Sequence, residues 1–417
     1  MTLPQPNFTG QAAIAFSGGG DSAAMLHTYR NHPQINHAFI IDHALRGGSD
    51  AEAKTAAAYA RWLGYQVQIK RWAHEGVTSG LQAKARNYRY TALGEMCRQH
   101  GLAHLITAHT ADDQAETLIL RLERKTGWRG LAGMAECAFA PLWPALADVT
   151  LHRPFLSVSR QALRDYNAQH GVEFIDDPSN ENSDFARVRV RQSLSVDPVL
   201  RVDLLLAQGR YRQRLIEERE QLSDWLQANG QISDQNYILT SAVPPLALLT
   251  HILTSVAGTA GPVDRAKRQD LAKHMALSGF KAATLAGAWC VKMDDRFVFT
   301  RDMVAVTGRQ AQRGLQASQL REGEKRLWDG RFQIEAKTGD LTVEPALGHL
   351  GAFKQDVDMK GVFNHPSAVR ATLPVFRKGE KWVGFGALET DFLSVRSTAA
   401  QRLHNDGLGA ESVLSKP

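Results

Sequence analysis

The first 125 residues alternate short apolar runs with stretches whose apolar positions recur every three to four residues. The apolar runs predict buried strands at residues 11–16, 35–42, 65–69 and 103–108. The stretches between and after them predict helices at residues 22–30, 51–63, 81–100 and 112–123. Gly64 and Gly101 stand where the second and third helices would end, a common position for glycine. This alternation predicts a doubly wound α/β domain with a parallel sheet.

The pattern changes twice in the rest of the chain. A long, arginine-rich helix is predicted at about 193–228, and 243–279 stays mostly helical. Beyond about Phe297, short apolar runs separated by glycine and charged residues predict a small α+β tail. We therefore expect an α/β domain at 1–195, a helical linker at 196–225, a mostly helical middle domain at 226–308 and a small α+β domain at 309–417.

Composition narrows the class of protein. The 417 residues are 43% hydrophobic and 22% charged, which is ordinary for a globular protein. No run of 18 apolar residues occurs, so we expect no membrane span, and the first ten residues do not resemble a signal peptide. The three cysteines are scattered, which argues against a disulfide framework and favours the cytoplasm. The formal charge of +6 favours polyanionic partners.

A glycine-rich segment between the first strand and the first helix is the strongest local signal. It comprises Ser17, Gly18, Gly19, Gly20, Asp21 and Ser22. Successive glycines let backbone N–H groups approach an anion, and the following helix adds a favourable field, so we expect phosphate binding. No GK[ST] follows, so this is not a Walker A loop. A Rossmann fingerprint, with Asp42 as the ribose-binding acid, and a plain turn both stay open on this segment alone.

Two further polar clusters follow predicted strands. Asp42, His43 and Arg46 come after the second strand, and His109 precedes Asp113 and Glu116 after a later one. Ligands of open α/β sheets bind at the carboxyl ends of the strands. Asp113 and Glu116 share one helix face at i,i+3 and could bind Mg²⁺ beside phosphate, or an amine. Asp112 points elsewhere, as a helix cap or dipole partner.

Arginine clusters could hold phosphate groups. Arg86 and Arg89 lie at i,i+3 with Tyr90 beside them on a predicted helix. Arg187, Arg189 and Arg191 alternate with valine, which puts all three on one face of a strand, or the first and last on one face of a helix. In isolation, a helix with solvated arginines explains Arg86 and Arg89 equally well. The arginine triple is a concentrated positive site in either conformation, suited to a phosphate backbone or a nucleotide.

Together these segments resemble one family. SGGGDS, DHALR, ARNYRY, TAHTADDQAETLILRL, TGWRGLAGM, RPFL and DDPSNENSDFARVRVR occur in the order seen in the tRNA(Ile)-lysidine synthases, which are PP-loop ATPases. The resemblance is strong over residues 12–191 and weaker beyond. It implies binding of ATP and Mg²⁺, adenylation of O2 of the wobble cytidine of tRNA(Ile) with anticodon CAU, and attack of free L-lysine at C2 to form lysidine.

The resemblance also implies residue roles. The glycine-rich loop with Asp42, His43 and Arg46 would bind ATP, and Asp21 would hold Mg²⁺. His109, Asp113, Glu116, Arg187 and Arg191 would be catalytic, and the middle and C-terminal domains would bind tRNA. The tRNA-contacting arginines would be Arg86, Arg89, Arg189, Arg210, Arg212 and Arg214. The oligomeric state stays open, with a homodimer as one alternative.

Four other functions are weighed against this one. PP-loop synthetases of the amidotransferase type would need an additional glutaminase domain, and the tail lacks an evident nucleophilic Cys–His context. Two-thiocytidine synthases share the HTADDQAET run but carry CxxC pairs, which this chain lacks. A tRNA-binding protein with a degenerate nucleotide site would not need the intact SGGGDS and HTADDQAET segments. An NAD-dependent dehydrogenase has no evident use for the clustered histidine, arginine and carboxylates.

Overall fold

A computed structural model describes residues 2–74, 80–175, 186–261, 263–309 and 312–408. The chain divides into two units, Met1–Ile216 and Glu217–Pro417, and the division falls inside a helix. None of the helices in these described ranges is long and apolar enough to cross a membrane.

The first unit is built on one six-stranded sheet. Its strands are β1 Ala12–Ala15, β2 Ile35–Asp42, β3 Gln66–Arg71, β4 His104–Ile106, β5 Cys137–Phe139 and β6 Thr150–His152. Its helices are α1 Gly20–Tyr29, α2 Ser49–Trp62, α3 Leu81–Gln99, α4 Ala111–Glu123, α5 Trp128–Leu131, α6 Arg160–His170, α7 Ala186–Val196 and the start of α8 Pro198–Asn229. The strand order is β3-β2-β1-β4-β6-β5, parallel except for β5 at the edge. The predicted doubly wound α/β fold is confirmed.

Side chains on β1 point alternately to the two faces of this sheet. Ala12 and Ile14 pack in a core formed with α1, α2 and α6. Ala13 and Ala15 pack in a second core formed with α3. Such a strand, buried on both faces, reads as a continuous apolar run. For this reason the sequence pattern located the strand without identifying either face.

Two helix boundaries have local causes in the sequence. Gly64 and Gly101 adopt positive φ just after α2 and α3, as predicted. The single long helix predicted from about residue 193 is interrupted, because α7 ends at Val196 and α8 begins at Pro198. Proline lacks an N–H and suits the first turn of a helix. The Asp197 carboxylate accepts the N–H of Leu200, which helps to start α8.

Within its described residues, the second unit contains the end of α8 and four antiparallel sheets. Its strands are β7 Gly230–Ile232, β8 Ile238–Thr240, β9 Ala282–Leu285, β10 Ala288–Met293, β11 Arg296–Arg301, β12 Gly308–Arg309, β13 Gln312–Arg313, β14 Ser318–Leu320, β15 Lys325–Trp328, β16 Phe332–Ala336, β17 Leu341–Pro345, β18 Pro374–Lys378, β19 Lys381–Phe385, β20 Leu388–Glu389 and β21 Leu393–Ser397. Its helices are α9 Leu246–Ala257, α10 Arg265–Met275, α11 Met303–Thr307, α12 Leu350–Phe353, α13 Ser367–Arg370, α14 Ala399–Asn405 and a 3-10 helix, Lys360–Asn364. The sheet orders are β7-β8-β11-β10-β9, β12-β13, β14-β17-β18-β19 and β15-β16-β21-β20.

Residues 282–301 form an antiparallel meander inside the region expected to be mostly helical. Its turns place Ala286, Gly287 and Asp294 at positive φ. Strands of four to six residues carry too little periodicity to be separated from a helical pattern by spacing alone. The two helices α9 and α10 lie within the stretch 243–279 that was predicted helical.

Candidate active site

Three polar segments meet at the carboxyl edge of the parallel sheet. Ser17 follows β1, Asp42 ends β2, and His109 follows β4. β1 pairs with β2 on one side and with β4 on the other, so the order of strands reverses next to β1. A crevice at such a switch point is the usual ligand site of an open α/β sheet.

The glycine-rich loop is held tightly against its surroundings. Gly18 has φ +85°, and a Cβ added there would lie 3.2 Å from Ile175 Cδ1. The Gly18 carbonyl accepts the N–H of Ile175 at 2.9 Å, and Ser22 Oγ donates to the Gly19 carbonyl at 2.8 Å. Ser17 Oγ lies 3.1 Å from Ser22 Oγ. The loop is therefore a fixed cradle in front of α1, and its shape requires glycine at position 18.

The start of α4 is fixed by a reciprocal cap. Thr110 Oγ1 accepts the N–H of Asp113, while Asp113 Oδ2 accepts the backbone N–H of Thr110 at 2.8 Å. The cap residue is thus Thr110, which corrects the expectation that Asp112 could serve in that role. Asp112 instead accepts the backbone N–H of Arg160 at 2.7 Å and the Arg201 guanidinium at 3.0 Å. The T-x-x-D spacing was a readable sign of this cap.

One guanidinium gathers the carboxylates of the site. Arg160, the first residue of α6, donates to Asp21 at 3.2 Å, to Asp113 at 3.0 Å and to Glu116 at 3.2 Å. Its side chain is 16% exposed, and that of Glu116 is 1% exposed. Arg191 Nε also donates to Glu116, at 2.9 Å. One ionic cluster around Arg160 therefore joins residues that were predicted from separate motifs, namely Asp21, Asp113, Glu116 and Arg191.

Arg160 was missing from the sequence prediction. It lies 139 residues from Asp21 and 44 from Glu116 along the chain. An arginine at a helix start, here after the cap residue Ser159, looks like a solvated side chain unless the fold is known. Only the approach of α6 to α1 and α4 reveals its three acidic partners.

Burial and charge set the protonation of the cluster. Burial and the charges of Asp113 and Asp112 raise the pKa of Asp21, although Arg160 opposes them. Burial acts to raise the pKa of Asp113 as well, but Arg160, His109 and the Thr110 hydrogen bonds outweigh it and leave this pKa lowered. Burial lowers the pKa of Arg160, yet its three acidic partners outweigh it and raise this pKa, so the guanidinium stays charged.

His109 is held neutral beside the acids. Burial lowers its pKa to about 3, and the positive charges of Arg153, Arg89 and Arg86 act in the same direction against Asp113. Its Nδ1 lies 2.9 Å from Thr107 Oγ1. A neutral imidazole at pH 7 can donate or accept a hydrogen bond without adding charge.

The second-strand residues lie at the same edge but outside the cluster. Asp42 is buried, and its carboxylate accepts the N–H of Ala44 at 2.8 Å. The Nδ1 atom of His43 is buried without a hydrogen-bond partner among the described residues. Arg46 is exposed and pairs with Glu52 at 2.7 Å.

Two arginines of α3 also act on His109. Burial lowers the pKa of His109 most, and the positive charges of Arg153, Arg89 and Arg86 lower it further. The guanidinium carbons of Arg89 and Arg86 lie 5.9 Å and 5.0 Å from the centre of the Tyr90 ring. Arg153 is 7% exposed, donates to the Ala135 carbonyl at 2.7 Å, and has a buried Nε without a partner among the described residues.

The remaining predicted arginines lie on α7 and α8. The segment with the alternating arginines forms a helix, α7, and not a strand. Arg189 on this helix is exposed. The side chain of Arg187 and the predicted motif residues 176–185 lie outside the described part of the chain. On α8, Arg210 is exposed, Arg212 donates to the Met134 carbonyl, and Arg214 lies over the Trp128 ring at 4.2 Å.

The switch-point crevice, the glycine cradle and the adjacent acids define an N-terminal domain of the PP-loop class. A PP-loop domain family, ATP_bind_3, matches residues 3–197. The chain is 32% identical to a tRNA(Ile)-lysidine synthase of Hyphomonas neptunium over 295 residues, which are 68% of this chain and 80% of that protein. It is 31% identical over 364 residues to that of Ruegeria pomeroyi, covering 81% of this chain and 80% of the relative.

A third relative matches the N-terminal part more closely. The tRNA(Ile)-lysidine synthase of Brucella anthropi is 39% identical over 191 residues, 44% of this chain and 42% of its own length. Among solved structures, the U34-tRNA thiolase NcsA of Methanococcus maripaludis is similar with a TM-score of 0.42 and 16% identity, over 51% of this chain and 75% of that one. By the two long matches, the chain belongs to the tRNA(Ile)-lysidine synthase family.

Proposed function

We propose that this protein uses ATP to modify tRNA(Ile) with anticodon CAU, joining free L-lysine to C2 of the wobble cytidine. In the first step, O2 of the cytidine attacks the α-phosphorus of ATP and pyrophosphate leaves. In the second step, the lysine ε-amine attacks C2, AMP leaves with O2, and the amine gives up a proton. Family membership supports tRNA modification with ATP.

The observation that carries the proposal is the acidic cluster beside the glycine cradle. Among the described side chains, three carboxylates from α1 and α4 face two guanidiniums, those of Arg160 and Arg191. Within this set of paired side chains, the carboxylates outnumber the guanidiniums by one, and a cation could share that charge. A lysine ammonium fits this charge, because burial strengthens its attraction to the carboxylates.

ATP would be held by Ser17 through Ser22. The backbone N–H groups of the loop and the N-terminus of α1 favour its phosphates. A side chain at position 18 would fill the space against Ile175 and Ala56, so the chain keeps this space through glycine. Asp42, His43 and Arg46, at the end of β2, would line the rest of the nucleotide pocket.

Mg²⁺ would be held by Asp21. Within the described ranges, no group of three or more histidine, cysteine or acidic side chains is arranged to hold a metal ion. Mg²⁺ needs only one or two carboxylates when phosphate oxygens and water complete its shell, so the donors present fit it. When bound, it would neutralise charge on the phosphates. Burial, helped by the charges of Asp113 and Asp112, raises the pKa of Asp21 against Arg160, so a bound cation would favour its ionised form.

Asp113 and Glu116 would receive the lysine ammonium. Asp113 is ionised at neutral pH, since Arg160 and Thr110 help to keep its pKa lowered despite burial. It could accept the proton that the amine must lose before attack. Neutral His109 could hydrogen-bond the cytidine or the amine, and Arg191, with Arg187, could stabilise charge that develops in the transition state.

The arginines would hold the tRNA. Arg86 and Arg89 lie close to His109 and would contact phosphates near the reacting base. Arg189, Arg210, Arg212 and Arg214, on α7 and α8, would contact further phosphates of the RNA. Such contacts make affinity fall steeply with salt.

The test is incorporation of labelled lysine into an unmodified tRNA(Ile) transcript with anticodon CAU, with ATP and Mg²⁺. Elongator tRNA(Met), which carries the same anticodon, is the control. We expect label on the isoleucine tRNA only, in an ATP-dependent manner. If AMP forms but the RNA carries no label, the conclusion that the protein is an ATP-using tRNA enzyme would stand. Lysine as the nucleophile would be refuted.

Glu116→Gln tests the site itself. The change removes a buried charge shared by Arg160 and Arg191, and we expect lysine incorporation to fall by about 10²-fold or more. Glu123→Gln at the exposed end of the same helix is the matched control and should retain activity. Wild-type incorporation by a folded Glu116→Gln variant would show that the assignment is wrong.

A further inference from the structure

A tryptophan has two arginines close to its ring beyond the far end of α4. Arg214 on α8 places its guanidinium carbon 4.2 Å from the centre of the Trp128 ring, and Arg129 places its own at 4.8 Å. Trp128 is half-buried, whereas Lys125, Arg129 and Arg214 are exposed. We call Lys125, Trp128, Arg129 and Arg214 the Trp128 surface.

The charge around this surface is strongly positive. Residues 121–129 contain four basic side chains and one acidic one, Glu123. Residues 207–216 contain three arginines and no acid, and Glu217 and Glu218 follow them on the same helix. Arg210 lies at i,i+4 from Arg214, so both project from one side of α8. A polyanion is the natural partner of such a patch.

The aromatic ring narrows the choice of polyanion. Nucleic-acid bases stack on tryptophan rings and on guanidinium planes, and the phosphates bind the surrounding cations. Contact with Trp128 also holds the Arg214 guanidinium in place, so less freedom is lost when a base or phosphate binds. An acidic protein would use the charges but would have no comparable use for the ring.

The surface is linked directly to the candidate active site. α4 carries Asp113 and Glu116 in its first two turns and Arg121 in its last turn. Arg121 donates to the carbonyl of Gly130, which lies in the same short helix as Trp128. The rise of an α-helix puts Glu123 about 10 Å beyond Glu116. An RNA strand whose base reacts at Glu116 would therefore reach Trp128 within a few nucleotides.

We propose that the Trp128 surface binds the RNA strand next to the reacting nucleotide, with a base stacked on Trp128 and phosphates on Lys125, Arg129 and Arg214. This rests on the proposed function in that the RNA is the anticodon arm of the tRNA substrate. In this proposal the Trp128 surface, next to α4 and α8, holds the anticodon arm in place. The chemistry takes place at the other end of α4.

The test measures binding of the full-length protein to a stem-loop RNA with the anticodon-arm sequence of tRNA(Ile). We expect Trp128→Ala to raise the Kd at least about fivefold, as for loss of one stacked base. Trp128→Phe keeps an aromatic ring and should recover most of the affinity. The matched control is Trp62→Ala, because Trp62 is 77% exposed and stacks only on Tyr59 among its described aromatic neighbours.

Salt dependence separates stacking from charge. Arg214→Gln should reduce the slope of log K against log salt by about one phosphate contact. Trp128→Ala should lower affinity without changing this slope. Unchanged affinity in a folded Trp128→Ala variant would overturn the proposal. The proposal would also be overturned if poly-glutamate displaced the RNA from wild type and from the variant at equal concentrations. The surface would then recognise charge alone.

Lysine incorporation, measured in parallel at saturating RNA, keeps the two proposals apart. If RNA affinity depends on Trp128 while wild type incorporates no lysine, the surface is supported and the proposed function fails. If wild type incorporates lysine but Trp128→Ala binds RNA like wild type, the function stands and this surface is refuted.

Discussion

Replacing Arg160 with glutamine would test whether one guanidinium organises the acidic cluster. Arg160 makes three charge-assisted hydrogen bonds, to Asp21, Asp113 and Glu116, and its side chain is 16% exposed. Such bonds contribute roughly 1.5–3 kcal/mol each. Removing one partner of a buried ion cluster typically costs about 3–5 kcal/mol, because unpaired charge is left behind. We expect Arg160→Gln to lower the free energy of unfolding by that amount.

The same variant should change the pH dependence of activity. Arg160 is the strongest of the groups that hold the pKa of Asp113 down against burial. Without it the pKa of Asp113 rises, so the carboxylate takes up a proton at a higher pH. If Asp113 must be ionised, the acid limb of the lysine-incorporation profile moves to higher pH. Incorporation at pH 7 should fall by about 10²-fold.

The assay is lysine incorporation measured across the pH range, together with urea unfolding. Arg160→Lys keeps a charge and should recover part of both losses. Arg164→Gln, at an exposed position of the same helix, is the matched control. An Arg160→Gln enzyme with reduced stability but an unshifted pH profile would refute the electrostatic role and leave a purely structural one.

Two further predictions concern stability. Gly94→Ala would place a Cβ 1.9 Å from the backbone oxygen of Ala145, so urea unfolding should show a loss of about 3 kcal/mol. Gly209→Ala, at an open helix position, should instead be neutral or stabilising, and an equal loss in both would contradict this reasoning. Burial and the neighbouring His104, 3.0 Å away, lower the pKa of His152 to about 4 from 6.5. Since the unfolded chain takes up this proton first, His152 contributes stability above pH 6.5 that is lost as the pH falls to about 4. His152→Gln should reduce the difference in unfolding free energy between pH 7 and pH 4.5 by about 2 kcal/mol. An unchanged difference would exclude His152 as its source.

The sequence predicted those parts of the structure that depend on local pattern. The strands and helices from β1 to α4 follow from apolar periodicity, and His109, Asp113 and Glu116 were predicted together because strand ends share an edge. β5 and β6, with three residues each, were not predicted, whereas the equally short β4 lies in a longer predicted apolar run, residues 103–108. Arg160 could not be predicted, because its role comes from the packing of α6 against α1 and α4.

One helix presents opposite charges at its two ends, and this accounts for both proposals. Asp112 and Asp113 lie in the first turn of α4, where the helix dipole stabilises negative charge. Arg121 lies in the last turn beside Glu123, and Arg124 and Lys125 follow directly, at the end where the dipole stabilises positive charge. The acidic end suits an amine or Mg²⁺, and the basic end, continued by Trp128, suits an RNA strand. If the two ligands bind as proposed, the length of α4 sets the distance between the lysine and the RNA contact that fixes its target. A variant that weakens RNA at Trp128 should therefore leave the KM for lysine unchanged, whereas Glu116→Gln should affect lysine use and leave RNA affinity intact.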